Sequence, residues 1–292
     1  MKFSKAMGFL AAAVWAVLAS CTSEPVVPDT PDVGGSQLKD TVFYNVSYGA
    51  HERHRYDIYL PKGRSDSTPV VLMIHGGAWK AGQKEDMNYY VNQLRSVWSD
   101  VAIVNTNYRL ASNAENIHHN EIMADLDAAV AHLIANRNSY QISSRIGLFG
   151  ASAGGQLALI YAYRYNPDIR CVASLFGPTI ISDWSWYSSF NPWLGSSIGE
   201  ILTEYVGMPW DTAAYNAVSP YWNITPTTQP TLLFHGTWDP IVPVYQSQWM
   251  YGKLIQSAVA AEYYEYPAFH SFDDTQSLDV VTRTKTFFKK YM

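Results

Sequence analysis

A glycine-x-serine-x-glycine pattern at Gly150, Ser152 and Gly154 constrains the fold more than any other feature of this sequence. It follows an apolar, strand-like run at residues 146–149, and a good helix start comes directly after it. A strand that turns sharply into a helix at a serine strains the backbone there, and only small residues fit two positions to either side. The pattern therefore predicts a nucleophile elbow with Ser152 above the sheet edge. The alternative is a tight strand-to-helix connection without chemistry.

The same pattern occurs a second time, at Gly195, Ser197 and Gly199. So short a pattern also arises by chance, and its context must decide between the two copies. The residues before Gly195 include Pro192 and Trp193 and form no strand-like run. We therefore expect Ser197 to be a loop serine.

Apolar runs of strand length recur along the chain, at residues 70–74, 101–104, 146–149, 171–176, 231–234 and 261–266. Most of them lack alternation, which indicates strands that are covered on both faces. Helical patterns lie between several of them, as in the stripe formed by Ile122, Leu126, Val130 and Leu133. This order predicts an α/β fold with a mostly parallel central sheet flanked by helices, opened by an antiparallel pair near residues 43–47 and 55–60.

One connection breaks this rhythm, because residues 181–222 hold five of the ten tryptophans. A connection of that length is usually a functional insertion, so we predict an aromatic-rich cap. Its indoles could stack against sugar faces or an aromatic acyl group, or they could only pack the cap onto the body. The candidate substrate-binding residues, from the cap and from two other loops, are Trp79, Trp184, Trp186 and Trp238.

A serine nucleophile requires a base, and the base requires an orienting carboxylate. Asp239 is the only acid in the loop after residues 231–234, and His270 lies in the loop after residues 261–266. Order and placement predict the triad Ser152, Asp239 and His270. Plain surface or turn residues are the alternatives for the last two. The rival acids, Asp273 and Asp274, are too near His270 in sequence and are expected to begin the C-terminal helix.

The run at residues 70–74 ends in His75, Gly76, Gly77, Ala78 and Trp79. Consecutive glycines after a strand let backbone N–H groups approach a ligand, as in loops that form oxyanion holes. We predict Gly77 as the first donor of this loop, Ala78 as the second, and Ala153 as the donor that follows the nucleophile. His75 is expected to hold the loop, and a simple turn is the alternative for the glycines.

Charge and cysteine content exclude several classes of function. The net charge of −5 leaves no basic field for nucleic acid. Two cysteines make neither a disulfide framework nor a cysteine-rich zinc site, and Cys171, in an apolar run, is expected to be a small buried residue. Four further histidines show no metal-ligand spacing and are expected to be solvated loop residues: His51, His54, His118 and His119. We predict no metal and no cofactor.

The N-terminus has the pattern of an export signal. Lys2 and Lys5 precede an apolar run at residues 7–19, which is too short to span a bilayer. The run ends before Cys21 in a sequence that resembles the lipobox of bacterial lipoproteins, which implies lipidation of that cysteine. We therefore expect a signal peptide at 1–20, a proline-containing tether at 21–37 and one domain at 38–292. An ordinary signal peptide is the alternative.

Taken together, the motifs resemble the α/β-hydrolase superfamily and, within it, the HGG-motif esterase and lipase group that includes hormone-sensitive-lipase-like, feruloyl and acetylxylan esterases. The segments that carry the resemblance are residues 75–79, 107–110, 150–155, 235–239 and 270–272. Ala78 stands where the group often has a third glycine, which gives the pattern HGGxW that also occurs in kynurenine formamidases. Ser271 replaces a usual glycine. The resemblance implies the α/β-hydrolase fold and a serine esterase.

Export, tethering and resemblance together favour a carbohydrate esterase that removes acetyl or feruloyl groups from plant polysaccharide. Its expected location is the periplasm or the outer-membrane surface, with the membrane contacted only through the lipid anchor. The first alternative is a broad-specificity small-acyl carboxylesterase or lipase. An alternative of another class is a non-catalytic glycan-binding lipoprotein on a hydrolase fold. The sequence does not indicate an oligomeric state.

Overall fold

The computed structural model describes residues 38–292. The predicted signal peptide, the tether and Cys21 lie outside the described residues. Eight strands form one sheet, and two short strands, β7 and β8, form a hairpin. The strands are β1 Thr41–Ser47, β2 Arg55–Leu60, β3 Val70–Ile74, β4 Ala102–Thr106, β5 Ile146–Ala151, β6 Cys171–Leu175, β7 Phe190–Asn191, β8 Ser196–Ser197, β9 Thr231–Gly236 and β10 Ala261–Tyr266.

The sheet has the strand order β1-β2-β4-β3-β5-β6-β9-β10. Strand β2 is antiparallel to both of its neighbours, and all the other pairs are parallel. Strands β3 to β6 are buried along their whole length, as expected where helices cover both faces of a parallel sheet. The predicted mostly parallel sheet with an antiparallel pair at one end is confirmed.

Helices flank this sheet on both faces. Their bounds are α1 Asn88–Val97, α2 His119–Ala135, α3 Arg137–Tyr140, α4 Ala153–Ile160, α5 Trp184–Tyr187, α6 Ile198–Val206, α7 Thr212–Ala217, α8 Tyr245–Gln256 and α9 Asp274–Tyr291. On one face α1 and α9 bury residues such as Leu94 and Phe288. On the other face α2 and α4 bury residues such as Leu126 and Leu157, so two apolar cores sandwich the sheet. Within residues 38–292 no helix combines the length and apolarity needed to cross a membrane.

The segment 181–222 contains α5, the hairpin, α6 and α7. It rests on the loop after β9, because the indole N–H of Trp186 donates to Ile241 O at 3.0 Å and the Asn191 amide donates to Pro240 O at 2.9 Å. Ser197 is the N-cap of α6 rather than the loop serine that we expected, and its Oγ accepts from Glu200 N–H at 3.1 Å. The second glycine-serine-glycine pattern is therefore a helix start.

Parallel strands place the loops that follow them at one edge of the sheet. The loops after β3, β5, β9 and β10 carry the glycine pair, Ser152, Asp239 and His270, respectively. This topology brings residues that are far apart in the chain to a common place. Asp273 is the N-cap of α9, as expected from the sequence.

Candidate active site

The turn between β5 and α4 holds Ser152 in a strained conformation. Its backbone angles are φ 54° and ψ −124°, in the region that side chains other than glycine rarely adopt. The surroundings hold this geometry, since Ser152 N–H donates to Leu175 O on β6 at 2.9 Å. A side chain at Gly150 would overlap Gly154 O, and one at Gly154 would overlap Ile74 O. The two glycines are therefore required by close backbone contact on both sides of the serine.

Ser152, His270 and Asp239 form a continuous hydrogen-bonded series. His270 Nε2 lies 2.9 Å from Ser152 Oγ, and His270 Nδ1 lies 2.6 Å from Asp239 Oδ2. The Asp239 side chain is fully buried, whereas that of His270 is partly exposed. An ionised Asp239 accepts the Nδ1–H, which leaves Nε2 free to accept the serine proton.

Asp239 is held by groups other than His270 as well. Its Oδ1 accepts from the N–H groups of Ile241 at 2.8 Å and Val242 at 3.0 Å, and His235 Nε2 lies 3.2 Å from Oδ2. Burial by itself would raise the pKa of the carboxyl, but the hydrogen bonds from His235 and His270 outweigh it and hold the pKa well below its usual range. The carboxylate therefore stays ionised and fixed in direction.

His235 is a site residue that the sequence reasoning missed. It is fully buried at the end of β9, and its Nε2 lies 2.9 Å from Val242 O. Its Nδ1 lies 2.7 Å from Ser247 Oγ, so the serine hydroxyl donates to Nδ1 when Nε2 carries the proton. This tautomer directs one N–H towards both Val242 O and Asp239 Oδ2. The only signal in the sequence was the histidine four residues before the predicted acid.

The loop after β3 passes directly over the serine. A Cβ built on Gly76 would lie 3.1 Å from Ser152 Cβ. Gly77, Ala78 and Trp79 all have positive φ, of 113°, 51° and 60°. Two consecutive left-handed residues that are not glycine are costly, and such strain concentrates at functional sites. Among residues 38–292, the N–H groups of Gly77, Ala78 and Ala153 form no hydrogen bond, so each can donate to a ligand.

Buried side chains hold this loop in place. The His75 ring stacks on Tyr108 at 4.3 Å, and the Tyr108 hydroxyl donates to His75 O at 3.0 Å. Arg53 donates to Tyr108 O at 2.7 Å and to Gly82 O at 2.9 Å. Burial lowers the pKa of His75 to about 4, so its ring is neutral at pH 7. His75 is thus a support of the loop, as expected, and Arg53 is a second support that sequence reasoning missed.

The four tryptophans proposed from sequence differ in their positions. Trp79 is buried, donates its indole N–H to Gln156 Oε1 at 2.9 Å and stacks on Tyr205 at 4.3 Å. Trp79 and Trp186 both line the apolar cavity beside Ser152.

The other two tryptophans do not line that cavity. Trp184 is 57% exposed and packs against Trp210 at 5.0 Å, on the outside of the cap. Trp238 is 59% exposed and lies 5.9 Å from Phe269, so this aromatic pair is adjacent in sequence to Asp239 and His270.

The remaining histidines and Cys171 contact other parts of the fold and do not form a metal site in the described residues. The expectation of solvated loop residues is wrong for His54, whose largely buried ring lies 3.0 Å from Asp125 Oδ1, and for His118, which is the N-cap of α2. It is also wrong for His119, which is buried in the first turn of α2 between the hydroxyls of Tyr205 and Tyr165, at 2.6 and 2.9 Å. In the part of the chain that is described, no group of three or more histidine, cysteine, aspartate or glutamate residues is arranged to hold a metal. Cys171 is fully buried in β6, and burial raises the pKa of its thiol.

Sequence comparison finds relatives among hydrolases. The BD-FAE family model matches residues 56–254. Arylacetamide deacetylase of Bos taurus is 32% identical over 143 residues, 46% of this chain and 32% of that protein. Esterase LipC of Mycobacterium tuberculosis is 24% identical over 270 residues, 85% of this chain and 65% of that protein. The chain spans about a third to a half of the length of the first curated relatives it matches.

Comparison with solved structures shows the same fold. A truncated carbohydrate esterase from gut microbiota superposes with a TM-score of 0.71 at 21% identity, covering 86% of this chain and 97% of that chain. The predicted α/β-hydrolase fold is therefore confirmed.

Proposed function

Since this chain belongs to the BD-FAE family, whose domain is of the α/β-hydrolase type, we propose that it is a serine-dependent carboxylic-ester hydrolase. The observation that carries the proposal is the series Ser152, His270 and Asp239 beside the N–H groups of Gly77, Ala78 and Ala153, which have no hydrogen-bond partner in the described part of the chain. A binding protein gains nothing from a strained serine whose hydroxyl is aligned with an oriented imidazole. A hydrolase requires both.

In the first half-reaction, Ser152 Oγ attacks the ester carbonyl carbon while its proton passes to His270 Nε2. The carbonyl oxygen becomes an oxyanion that accepts from Ala153 N–H and from Gly77 or Ala78 N–H. The tetrahedral intermediate collapses, the bond from the carbonyl carbon to the alcohol oxygen breaks, and His270 returns its proton to that oxygen. An acyl group remains on Ser152.

In the second half-reaction, water replaces the alcohol. His270 takes a proton from the water as its oxygen attacks the acyl carbon, and the oxyanion donors act again. The bond to Ser152 Oγ breaks, the serine regains a proton from His270, and the carboxylic acid leaves. Asp239 stabilises the imidazolium at each stage without accepting the proton itself.

For the substrate, we propose an acetyl or feruloyl ester on plant polysaccharide. The support comes from the likeness to a carbohydrate esterase and from the exposed pair Trp238 and Phe269 next to the triad. Exposed aromatic rings offer broad apolar faces suited to the C–H faces of sugars.

The activity is tested with Ser152→Ala against the matched control Ser197→Ala. Ser197 has the same sequence pattern but caps a helix, so its removal should cost about 1 kcal/mol of stability and leave hydrolysis in place. Loss of Ser152 should lower kcat by about 10⁶-fold. A fluorophosphonate should label wild type and Ser197→Ala but not Ser152→Ala. Ester hydrolysis by Ser152→Ala within tenfold of wild type contradicts the proposal.

A second candidate, a broad small-acyl carboxylesterase, is favoured by the apolar lining of the cavity beside Ser152. Rates on acetylated xylan, feruloylated arabinoxylan and p-nitrophenyl acetate separate the two. A carbohydrate esterase should have a higher kcat/KM on at least one of the polysaccharides, whereas a broad carboxylesterase should prefer the small activated ester. A non-catalytic glycan-binding protein would bind the polysaccharide and remain unlabelled by the fluorophosphonate.

We further propose that Cys21 carries a lipid that anchors the exported protein. The support is the lipobox-like sequence alone. Metabolic labelling with a fatty-acid analogue, in a host that processes lipoproteins, should label the wild type and not Cys21→Ser. Equal labelling of the two proteins contradicts the proposal.

A further inference from the structure

A buried histidine that takes no part in the reaction is connected to the loop that follows β3. His119 Nδ1 lies 2.6 Å from the hydroxyl of Tyr205 on α6, and Nε2 lies 2.9 Å from the hydroxyl of Tyr165 in the turn that follows α4. The Tyr205 hydroxyl also lies 3.0 Å from Gln156 Oε1, and the same oxygen accepts from the Trp79 indole N–H at 2.9 Å. A continuous series of hydrogen bonds therefore joins His119 to Trp79.

The hydrogen positions in this series are determined from its inner end. The Trp79 indole can only donate, and the Val218 carbonyl, 2.8 Å from Gln156 Nε2, can only accept. The orientation of the Gln156 amide is therefore determined, and its Oε1 must also accept from the Tyr205 hydroxyl. Since the Tyr205 hydrogen is used in that bond, the Tyr205 oxygen accepts from His119 Nδ1–H.

His119 has a partner for each ring nitrogen in its neutral form. With the hydrogen on Nδ1, Nε2 accepts from the Tyr165 hydroxyl. Burial, followed by the charge of Arg164, lowers the pKa of His119 to about 3, so the ring is neutral at pH 7. Rotating the ring would leave buried donors and acceptors without partners, which is costly. The ring of His119 and the hydroxyl of Tyr205 are consequently held in one orientation.

Gln156 connects the two sources of oxyanion donors. Its backbone lies in the first turn of α4, which begins with the donor Ala153. Its side chain holds Trp79, which directly follows the donors Gly77 and Ala78. Ala78 and Trp79 have positive φ, of 51° and 60°, and such strained residues keep their conformation only where the surroundings fix it. The hydrogen bond to the indole is one of these restraints.

We propose that His119 is a positioning residue for the oxyanion site. Through Tyr205 it fixes the bond from the Trp79 indole to Gln156, and it thereby holds the loop N–H groups in the geometry that the oxyanion requires. His119 does not line the apolar cavity beside Ser152, so it acts through other residues. The proposal rests on the proposed ester hydrolysis. It predicts an effect on the transition state, where the oxygen carries charge, rather than on substrate binding.

The first test removes the Nδ1 donor and then restores it. His119→Leu should lower kcat on p-nitrophenyl acetate by about 10-fold to 10²-fold, because small displacements of catalytic groups have effects of this size. KM should stay within about twofold, since ground-state binding is retained. His119→Asn keeps a side-chain N–H for the Tyr205 oxygen and should recover most of the lost kcat. Each kcat is expressed per site labelled by the fluorophosphonate at completion, which corrects for unfolded protein.

The first test has two outcomes that overturn the proposal. One is a kcat for His119→Leu within about threefold of wild type, because displaced oxyanion donors lower kcat by more than that. The other is an equal loss of kcat in His119→Leu and His119→Asn, which would show that the N–H donor is not what matters.

His132 provides the matched control. It lies on the same helix, α2, it is half-buried, and its Nδ1 lies 2.9 Å from the hydroxyl of Tyr56. Tyr56 belongs to β2, which contributes no residue to the triad or to the oxyanion donors. His132→Leu should therefore lower the melting temperature and keep the wild-type kcat per labelled site. A loss of kcat as large as that of His119→Leu would indicate a general loss of packing and overturns the proposal.

The second test asks whether His119 acts through Tyr205. Tyr205→Phe keeps the ring that stacks on Trp79 at 4.3 Å and removes the hydroxyl. It should lower kcat to about the same extent as His119→Leu, and it provides the measurement if His119→Leu does not fold. The double variant should lose no more than either single variant, because both interrupt one series of hydrogen bonds. Effects on kcat that multiply in the double variant overturn the connection.

The two levels of the proposal fail in different ways. Absence of any hydrolysis that depends on Ser152 contradicts the proposed ester hydrolysis itself. Hydrolysis that depends on Ser152 and is equally fast in wild type, His119→Leu and Tyr205→Phe contradicts only the positioning role of His119.

Discussion

Asp239→Asn should disable the site through the protonation state of His270. In the wild type, Asp239 Oδ1 accepts from two backbone N–H groups, at Ile241 and Val242, and Oδ2 accepts from His270 Nδ1–H. Asparagine has the same shape but only one oxygen. The two backbone donors bind that oxygen, so the NH₂ group faces His270 Nδ1. The ring must then carry its proton on Nε2, where it cannot accept from Ser152.

The size of the effect follows from this reversal. The proton of the imidazole moves from Nδ1 to Nε2, so the donor and acceptor nitrogens exchange roles. In serine hydrolases this exchange lowers kcat by about 10⁴-fold. At 1.36 kcal/mol per tenfold, this corresponds to about 5.5 kcal/mol of lost transition-state stabilisation. The Asp239 side chain is fully buried and does not line the apolar cavity beside Ser152, so KM should change little.

The measurement is kcat and KM on p-nitrophenyl acetate at pH 7, with Asp273→Asn as the control. Asp273 is also an aspartate near His270 in sequence, but it caps α9, and asparagine caps a helix equally well. Asp273→Asn should therefore retain the wild-type kcat. The reasoning is refuted if Asp239→Asn stays within tenfold of wild type, or if both variants lose activity to the same extent.

Three further outcomes follow from the packing. Gly154→Ala should lower the free energy of unfolding by about 3 kcal/mol or more, because the added Cβ would overlap Ile74 O. Gly252→Ala, which places its Cβ in open space on α8, should raise the free energy of unfolding by about 1 kcal/mol. Chemical denaturation measures both values. Burial lowers the pKa of His75 to about 4, so the unfolded state binds the proton first as the pH falls. Through His75, about 3 kcal/mol of stability that is present above pH 6.5 should be lost as the pH falls from 6.5 to 4, and His75→Asn should remove this share of the pH dependence. A thiol reagent should reach Cys171 only on unfolding, since the thiol is buried and its pKa raised; reaction with the folded protein as fast as with the unfolded protein contradicts this.

Local sequence was sufficient to predict the strands and the turn that holds Ser152. A strand buried on both faces leaves an uninterrupted apolar run, so each of the six runs became a strand, with ends shifted by at most two residues at β4, β5, β6 and β9. The turn at Ser152 was predictable because backbone contact excludes side chains at Gly150 and Gly154. Parallel topology then brought the remaining loops to the same edge.

Contacts that depend on tertiary geometry were not predictable. Whether His235 reaches Asp239 depends on how tightly the chain turns after β9, and no residue pattern specifies that turn. The spacing of His119 from other residues correctly gave no metal site, but it could not predict that His119 is buried. Its burial against Tyr205 depends on how α2 packs beneath the cap. The volume beside Ser152 depends on side-chain rotamers from several elements, which no local pattern contains.

The sequence leaves two roles open for the cap tryptophans, binding of substrate and packing of the cap onto the body. The position of Trp186 is compatible with both roles. Its ring lines the apolar cavity beside Ser152, while its indole N–H donates to Ile241 O in the loop that carries Asp239. Ile241 N–H in turn donates to Asp239 Oδ1. Trp186 is therefore one hydrogen-bonded residue away from the carboxylate that orients His270. Trp184, which packs on Trp210 outside the cavity, has neither connection. The cap is thus anchored, through Trp186, to the loop that holds the Asp239 carboxylate.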